Sequence, residues 1–404
     1  MSLFRAALDG LVPYEPGKPE EELQRELGLD RVVKLASNEG PWGPFPAALE
    51  AMERSAGSLN RYPDGGAFHL RQALAERHDV DPSSIVTGAG ADALIGHLSL
   101  ATLDPGDEVV TAWPSFISYV LDTLKLGAVP VKVPLLDDHY DLGAMLEAIG
   151  LAHLDAGELA EAKPYFLRAL PLRRAFEGPL SPSVSDNYNS LGSIAYARRE
   201  LRDAERYFRG NLAVDRKVLG PDHPDIATTM NNLARVLIEQ RRFREAIPLL
   251  DKAIAIGRRE RGDEHADMSF VFANLAIARR HTGRLSEAAR LFEQSVAAAR
   301  ANAHRVLGPS LADLAELRCL GGRTTEGLAL LDEAALVTAK DYPDAPWRSA
   351  WVENVRGECL IRAGRAGQGA AEVARSSPAI LAAWPRGTLF AAEARRRAAL
   401  GQRS

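Results

Sequence analysis

The stretch LGPDHPDIATTMNNLARVLIEQRRFREAIPLLDKAIAI, Leu219–Ile256, decides the fold of most of this chain. It opens with Gly220 and two prolines, Pro221 and Pro224, residues that punctuate a connection between helices. Two small residues then stand twelve positions apart, Ala234 and Ala246. A large apolar residue, Leu233, precedes the first, and Leu250 follows the second by four. The frame recurs 42 residues earlier as Leu191, Gly192, Ala204 and Phe208, and 42 later as Leu275, Ala276, Ala288 and Phe292. Backward it fits Gly150, Ala162 and Phe166; forward, Ala315 with Gly327 follows after 39 residues and Gly357 with Gly369 after a further 42.

The punctuation keeps the same register. EGPLSPS (Glu177–Ser183) and RGDEHAD (Arg261–Asp267) lie 42 residues to either side of LGPDHPD. Short polar stretches, RRELRDA, QRRFREA and HTGRLSEA, separate the two helices inside a unit. Small residues let the axes of two antiparallel helices approach, and large ones fill the gaps between neighbouring units. Neither helix can bury its face alone, so several units must stack.

This pattern resembles the tetratricopeptide repeat, in the longer form seen in kinesin light chains and many bacterial regulators. The resemblance covers Gly150 to about Ala374, with Gly327 and Gly369 standing where Ala is usual. It implies an α-solenoid over residues 150–376 and a C-terminal capping helix over 377–404 that shields the end of the stack. It also implies a scaffold that binds a protein or peptide on the concave face, lined by the first helix of each unit. The polar positions expected there are Asn232 and Asn274, able to pair with a peptide backbone, and Arg235 and Arg280, able to meet a carboxylate. Ser190 holds the equivalent of Asn232 in the preceding unit, which weakens a clamp built on carboxylate recognition. His223 and His265 recur at one linker position, where turn packing is expected rather than ligation.

Residues 1–149 read differently. SSIVTGAGADALIGHLSLATL suggests a strand, a Gly-rich turn and a helix, and GDEVVTAWPSF and GAVPVKVPL suggest two more strands. Strands alternating with helices indicate a parallel sheet. Gly88 and Gly90 fit a G-x-G turn, but Ala93 fills the third position, so a dinucleotide fingerprint is weak. Such a turn still presents backbone N–H groups at a helix N-terminus, a good phosphate cup.

Five motifs occur in order: KLASNEGPWGPFP, RYPDGG, TGAGADALI, DEVVTAWPSFISY and YDLGAMLEAI. Together they resemble the N-terminal part of histidinol-phosphate aminotransferase, a fold-type I enzyme of pyridoxal phosphate (PLP). By that resemblance Ala91 and Asp92 lie at the cofactor phosphate cup, Phe116 stacks on the pyridine ring and Tyr62 reaches the phosphate in a partner subunit. Asn38 lies near the substrate. The family continues with TPRT and NPNNPTG segments, an Asp that pairs with the pyridine nitrogen, a Ser-Lys segment and a substrate-binding Arg. None of these motifs follows Ile149. PLP chemistry needs the Lys amine as covalent anchor and the acid to keep the ring an electron sink. The four lysines of the front segment, Lys18, Lys34, Lys125 and Lys132, lie in no Ser-Lys motif. These cofactor and substrate positions are therefore read as vestigial, with no catalytic residue and no functional cofactor expected.

Composition marks the same join. Residues 1–149 hold 11 Lys+Arg against 23 Asp+Glu, whereas residues 150–404 hold 38 against 31. The chain has 404 residues, 46% apolar and 25% charged, ordinary for a globular protein. Its two cysteines, Cys319 and Cys359, fit no metal motif and are expected as buried thiols. The arginines are spread around helices rather than packed in a stripe, so no nucleic acid is expected, and no run of about 20 apolar residues marks a membrane span. The chain is expected to be soluble and cytoplasmic.

The fold class expected is mainly α: a tetratricopeptide-repeat solenoid preceded by an incomplete α/β segment of the PLP-transferase large-domain type. The truncated sheet should expose edges open to association. Function is read as protein or peptide binding beside a catalytically incompetent aminotransferase fragment. The alternative is a PLP-dependent, histidinol-phosphate aminotransferase-like protein with an appended interaction domain. YDLGAMLEAI can serve both segments, since the repeat frame requires a helix over the same residues.

Overall fold

A computed structural model describes residues 18–33 and 42–402 and divides the chain into two compact units, residues 1–141 and 142–404. Asn38 and Lys34 lie outside the described residues.

The second unit is built from helix pairs. These are α6 (Leu142–Asp155) with α7 (Leu159–Phe176), α8 (Pro182–Ala197) with α9 (Leu201–Val218), and α10 (Pro224–Glu239) with α11 (Phe243–Glu260). Next come α12 (Ala266–His281) with α13 (Leu285–Ala301), α14 (Leu307–Leu320) with α15 (Thr324–Asp341), and α16 (Pro346–Arg362) with α17 (Ala366–Ala383). A last helix, α18, spans Leu389–Gly401. Residues 142–155, which contain Ile149 and Gly150, form one unbroken helix.

The small and large positions explain the pairing. Ala162, Ala204, Ala234, Ala246, Ala276, Ala288 and Ala315 are fully buried. A Cβ placed on Gly150 would stand 2.7 Å from Phe166 Cε2, and one on Gly192 2.7 Å from Phe208 Cε1. Each Phe therefore occupies the space its glycine leaves. In the last pair, a Cβ on Gly357 would stand 2.7 Å from the Gly369 carbonyl, so there the backbones themselves approach. Ala cannot replace Gly at this crossing, which accounts for the departure from the usual residue at 369.

The turn inside each unit needs a left-handed residue. Gly157, Arg199, Arg241, Gly283, Gly322 and Gly364 all have φ between 62° and 84° at the corresponding position. The linker histidines cap the helices that follow them. His223 Nδ1 and His265 Nδ1 each accept the backbone N–H two residues on, at 3.2 Å, at the N-termini of α10 and α12. Ser181 caps α8 in a similar way, accepting from Val184 N at 3.3 Å.

First helices of neighbouring units also touch, α10 with α12 and α14 with α16, and so share one face of the stack. Helix α17 runs to Ala383; α18 then packs on α17 and reaches α16 and α10 on that first-helix face. The cysteines differ from expectation. Cys319 on α14 and Cys359 on α16 form a disulfide with Cα atoms 5.4 Å apart. Their helices are first helices of adjacent units, and that adjacency, invisible as spacing along the chain, brings the two sulfurs together.

The first unit holds α1 (Glu20–Leu27), α2 (Pro46–Ala56), α3 (Phe68–His78), α4 (Gly90–Thr102) and α5 (Ile117–Lys125). Its sheet has two parallel strands, β1 (Glu108–Trp113) and β2 (Val129–Pro134), registered from Glu108 with Val129 to Trp113 with Pro134. The strand expected in SSIV does not form: Pro82–Ser84 is a short 3-10 turn capped by Asp81, and no described strand pairs with the residues after it. Parallel strands are normally buried on both faces. Here α4, although apolar, buries no residue, and Leu98 and Leu100 stay exposed.

Candidate functional site

The first-helix face of the repeats holds a recess of about 180 Å³. Tyr196 of α8, Arg235 and Glu239 of α10, Asn274 and Arg280 of α12, Asp313 of α14 and Arg348 and Trp351 of α16 line it. The segment after α17 contributes Trp384, Leu389 and Phe390.

Its cations are held by rings. Arg199 Cζ lies 3.5 Å from the Trp384 ring centroid, and Arg235 Cζ 4.1 Å from that of Tyr196. Arg348 lies 4.1 Å from Tyr342 and 4.6 Å from Trp347, and Arg305 5.2 Å from Tyr342. No carboxylate forms an ion pair with any of these four among the described residues, whereas many other arginines of the unit meet one. Cation–π contact orients a guanidinium without neutralising it.

Burial shifts the carboxyl groups in the recess. Burial pushes Glu239 up to about 8, although Arg199, Arg235 and Arg348 favour its ionised form. Burial likewise pushes Asp313 up to about 6, against the pull of Arg280. It lowers Arg199 and Arg348 and raises Tyr196 to about 12. Four buried polar atoms there have no hydrogen-bond partner among the described residues: Arg235 Nε, Glu239 Oε2, Thr338 Oγ1 and Trp384 Nε1.

The peptide-site residues expected from sequence fall in or beside this recess, with different freedom. Asn232 Nδ2 faces Asn189 Oδ1 at 3.4 Å, and Asn274 Nδ2 donates to Asn231 Oδ1 at 2.8 Å. One amide N–H of each is thus used between first helices. Arg235 keeps an unpartnered Nε beside the cavity. Arg280 corrects its expectation: it is buried and paired with Glu316, and Nη2 meets His281 Nε2 at 3.0 Å, so its charge is committed inside the stack. Burial opposes that charge, but Glu316 and Asp313 outweigh it and raise Arg280.

Helix α18 covers the acidic part of the same face. Glu316 and Glu358 occupy on α14 and α16 the position Arg235 holds on α10, one residue after the small residue of the frame. Arg396 Nη2 donates to Glu358 Oε2 at 2.6 Å, and Arg397 Nε to the same oxygen at 3.0 Å. The acidic positions are thereby neutralised within the chain, and the basic ones are left facing the recess. Sequence reading missed Arg199, Arg348, Trp384 and Glu239. One signal was available: three of the five tryptophans, at 347, 351 and 384, crowd into the last part of the chain.

In the first unit, Ala91 and Asp92 lie in the first turn of α4, and Asp92 Oδ1 accepts the Ser118 hydroxyl. Phe116 is the N-cap of α5, half-exposed, with its ring edge-on to Tyr119 at 6.3 Å. Tyr62 is fully exposed. The described lysines are engaged elsewhere: Lys18 with Glu26 at 2.6 Å, Lys125 with Asp122 at 2.8 Å, and Lys132 over the Trp113 ring at 4.3 Å.

Two family models each match part of the chain. The tetratricopeptide repeat model matches residues 141–209, 184–258 and 226–301, and the aminotransferase class I and II model matches residues 30–157. The two overlap on α6. Histidinol-phosphate aminotransferase 2 of Carboxydothermus hydrogenoformans is 42% identical over 147 residues, 36% of this chain and 41% of that enzyme. The enzyme of Moorella thermoacetica is 41% identical over 145 residues, 36% of this chain and 38% of its own. The chain thus spans about two-fifths of the length of the curated relatives it matches. Among solved structures, kinesin light chain TPR-like repeats from Podosopora anserina align over 51% of this chain and 99% of theirs, at 21% identity and a TM-score of 0.43. Histidinol-phosphate aminotransferase from Sinorhizobium meliloti, in complex with pyridoxal-5'-phosphate, aligns over 37% of this chain and 40% of its own, at 31% identity and a TM-score of 0.34.

Proposed function

We propose that this chain is a repeat scaffold that binds an acidic peptide or protein segment on the first-helix face of its second unit, and that its aminotransferase-like segment performs no amino transfer. The observation that carries the reading is the set of four arginines around the recess, held by aromatic rings and paired with no carboxylate. Three of them, Arg199, Arg235 and Arg348, are partly removed from water, where an unpaired cation is costly unless an anion completes it. Asn232 and Asn274 supply amide groups along the same face, each with capacity left after its contact within the stack.

The front segment fits PLP poorly. When bound, that cofactor supplies an electron sink anchored through a lysine amine. The N-terminus of α4, with Ala91 and Asp92, offers backbone donors for a phosphate, but Tyr62 and Phe116 are exposed and the described lysines are engaged elsewhere. The position of Asn38 remains a proposal by resemblance only. Cytoplasmic residence is likewise a proposal, and the Cys319–Cys359 disulfide speaks against it. No described helix is long and apolar enough to cross a membrane.

The test is fluorescence anisotropy of the full chain with a labelled Glu-rich peptide and its Lys-substituted counterpart. The acidic peptide should bind at least tenfold tighter, and Arg235→Ala with Asn274→Ala should remove that preference. Equal binding of both peptides, or an acidic preference untouched by the substitutions, would contradict it.

A further inference from the structure

The recess is small, and its lining is of two kinds. Flat apolar surface comes from Tyr196, Phe270, Trp347 and Phe390. Directed donors come from Arg199, Arg235 and Arg348, and from the indole of Trp384, a residue only 2% exposed whose Nε1 has no partner. A guanidinium presents a planar fork that matches a carboxylate, and Arg235 and Arg348 are held over the Tyr196 and Tyr342 rings, each 4.1 Å from the ring centroid. A volume of about 180 Å³ slightly exceeds the ~150 Å³ of an engineered cavity that takes benzene. It accommodates one aromatic ring with a short acidic arm and little more.

We propose that this recess is a binding site for a small aromatic carboxylate, its acid group meeting Arg235, Arg348 and the Trp384 indole N–H, its ring lying among Tyr196, Trp347 and Phe390. The site needs the segment after α17, because Trp384 and Phe390 form part of its wall. The inference deepens the reading of the first-helix face as a binding surface and rests on it only for location. The same chemistry could arrive as a free acid or as the C-terminal carboxylate of a peptide ending in Phe; the proposal is the free acid.

The experiment is calorimetry on the full chain with phenylacetate. Benzyl alcohol serves as a neutral ring, inorganic phosphate as an anion without a ring, and a tetrapeptide ending in Phe as the second source. Phenylacetate should bind at one site per chain, at least tenfold tighter than benzyl alcohol or phosphate, and quench tryptophan fluorescence. Arg235→Met and Arg348→Met, which keep the apolar stems, should each weaken it at least fivefold while leaving the circular dichroism spectrum unchanged. If a variant unfolds, Trp384→Phe, which removes the indole donor and keeps a smaller ring, provides the same test with a smaller expected loss of about threefold. No binding of phenylacetate, equal binding of the alcohol or of phosphate, or binding of the tetrapeptide alone would overturn the proposal. The last outcome would leave the peptide scaffold standing; binding of phenylacetate without any acidic-peptide preference would do the reverse.

Discussion

Arg397 has no exposed surface, and its Nε donates to Glu358 Oε2 at 3.0 Å, a carboxylate 39 residues earlier in the chain. Its Nη2 stands 2.8 Å from Glu316 Oε1, an ion pair without hydrogen-bond alignment, and its Cζ lies 4.3 Å from the Trp351 ring centroid. Helix α18 is therefore fastened to two first helices by buried charge. Removing one member of such a group strands the other. Arg397→Met is expected to lower the stability of the repeat unit by about 3 kcal/mol, read from the urea midpoint. Arg396 stays to neutralise part of Glu358, which keeps the loss at the lower end. A change below about 1 kcal/mol would show that α18 is not held this way.

The packing frame makes its own prediction. Gly192→Ala puts a methyl group 2.7 Å from Phe208 Cε1 and should cost about 1–3 kcal/mol by overpacking. Adding Phe208→Leu recreates the Ala234 and Leu250 pairing of the next unit and should restore much of the loss. A double mutant no more stable than the single one would break the equivalence of the units.

Glu239 gives a pH signature. Its carboxyl is pushed up to about 8, first by burial, from an ordinary 4.5. The groups facing it are Tyr196, Arg199, Arg235, Arg348 and the backbone N–H of Leu389. Between those two values the folded chain holds a proton that the unfolded chain has lost. The contribution to stability is complete below about 4.5 and falls as pH rises through about 8. Burial lowers His281 to about 4, which acts in the opposite sense, so the difference between the native chain and Glu239→Gln isolates the contribution of the carboxyl. Melting temperatures compared at mildly acidic, neutral and mildly alkaline pH should fall more steeply for the native chain than for the variant; parallel curves would contradict it.

The repeats are legible in the residues because their contacts are local: Ala234 and Ala246, twelve positions apart, fall on the paired helices α10 and α11, and repetition confirms the frame. The His223 and His265 caps recur visibly, but an imidazole acting as a helix cap leaves no spacing signal. The recess is not legible. Arg199 reaches the Ala383 carbonyl across 184 residues of sequence, and which helices α18 covers depends on how the pairs stack. Arg280 shows the opposite failure. It sits on a helix that looks open in one dimension, and only the adjacent α14 shows that Glu316 consumes its charge. In the first unit the missing strand at Ser83–Val86 has a similar cause, since a parallel strand forms only beside a neighbour.

The Cys319–Cys359 bridge closes a 40-residue separation and on the chain-entropy model contributes about 4 kcal/mol. Thiol titration of the unfolded chain without reductant should find no free thiol, and dithiothreitol should lower the melting temperature. Two free thiols in protein purified under oxidising conditions would show that the pair is reduced, as cytosolic surroundings favour.

The most direct measurement is intact-mass analysis of the full chain after incubation with one equivalent of PLP and reduction by borohydride. The expected result is scattered, sub-stoichiometric labelling, because the described lysines of the first unit, Lys18, Lys125 and Lys132, are engaged elsewhere. One equivalent trapped on a single lysine, such as Lys125 or Lys132, would show that the front segment still holds a coenzyme, and would contradict a chain that works by binding alone.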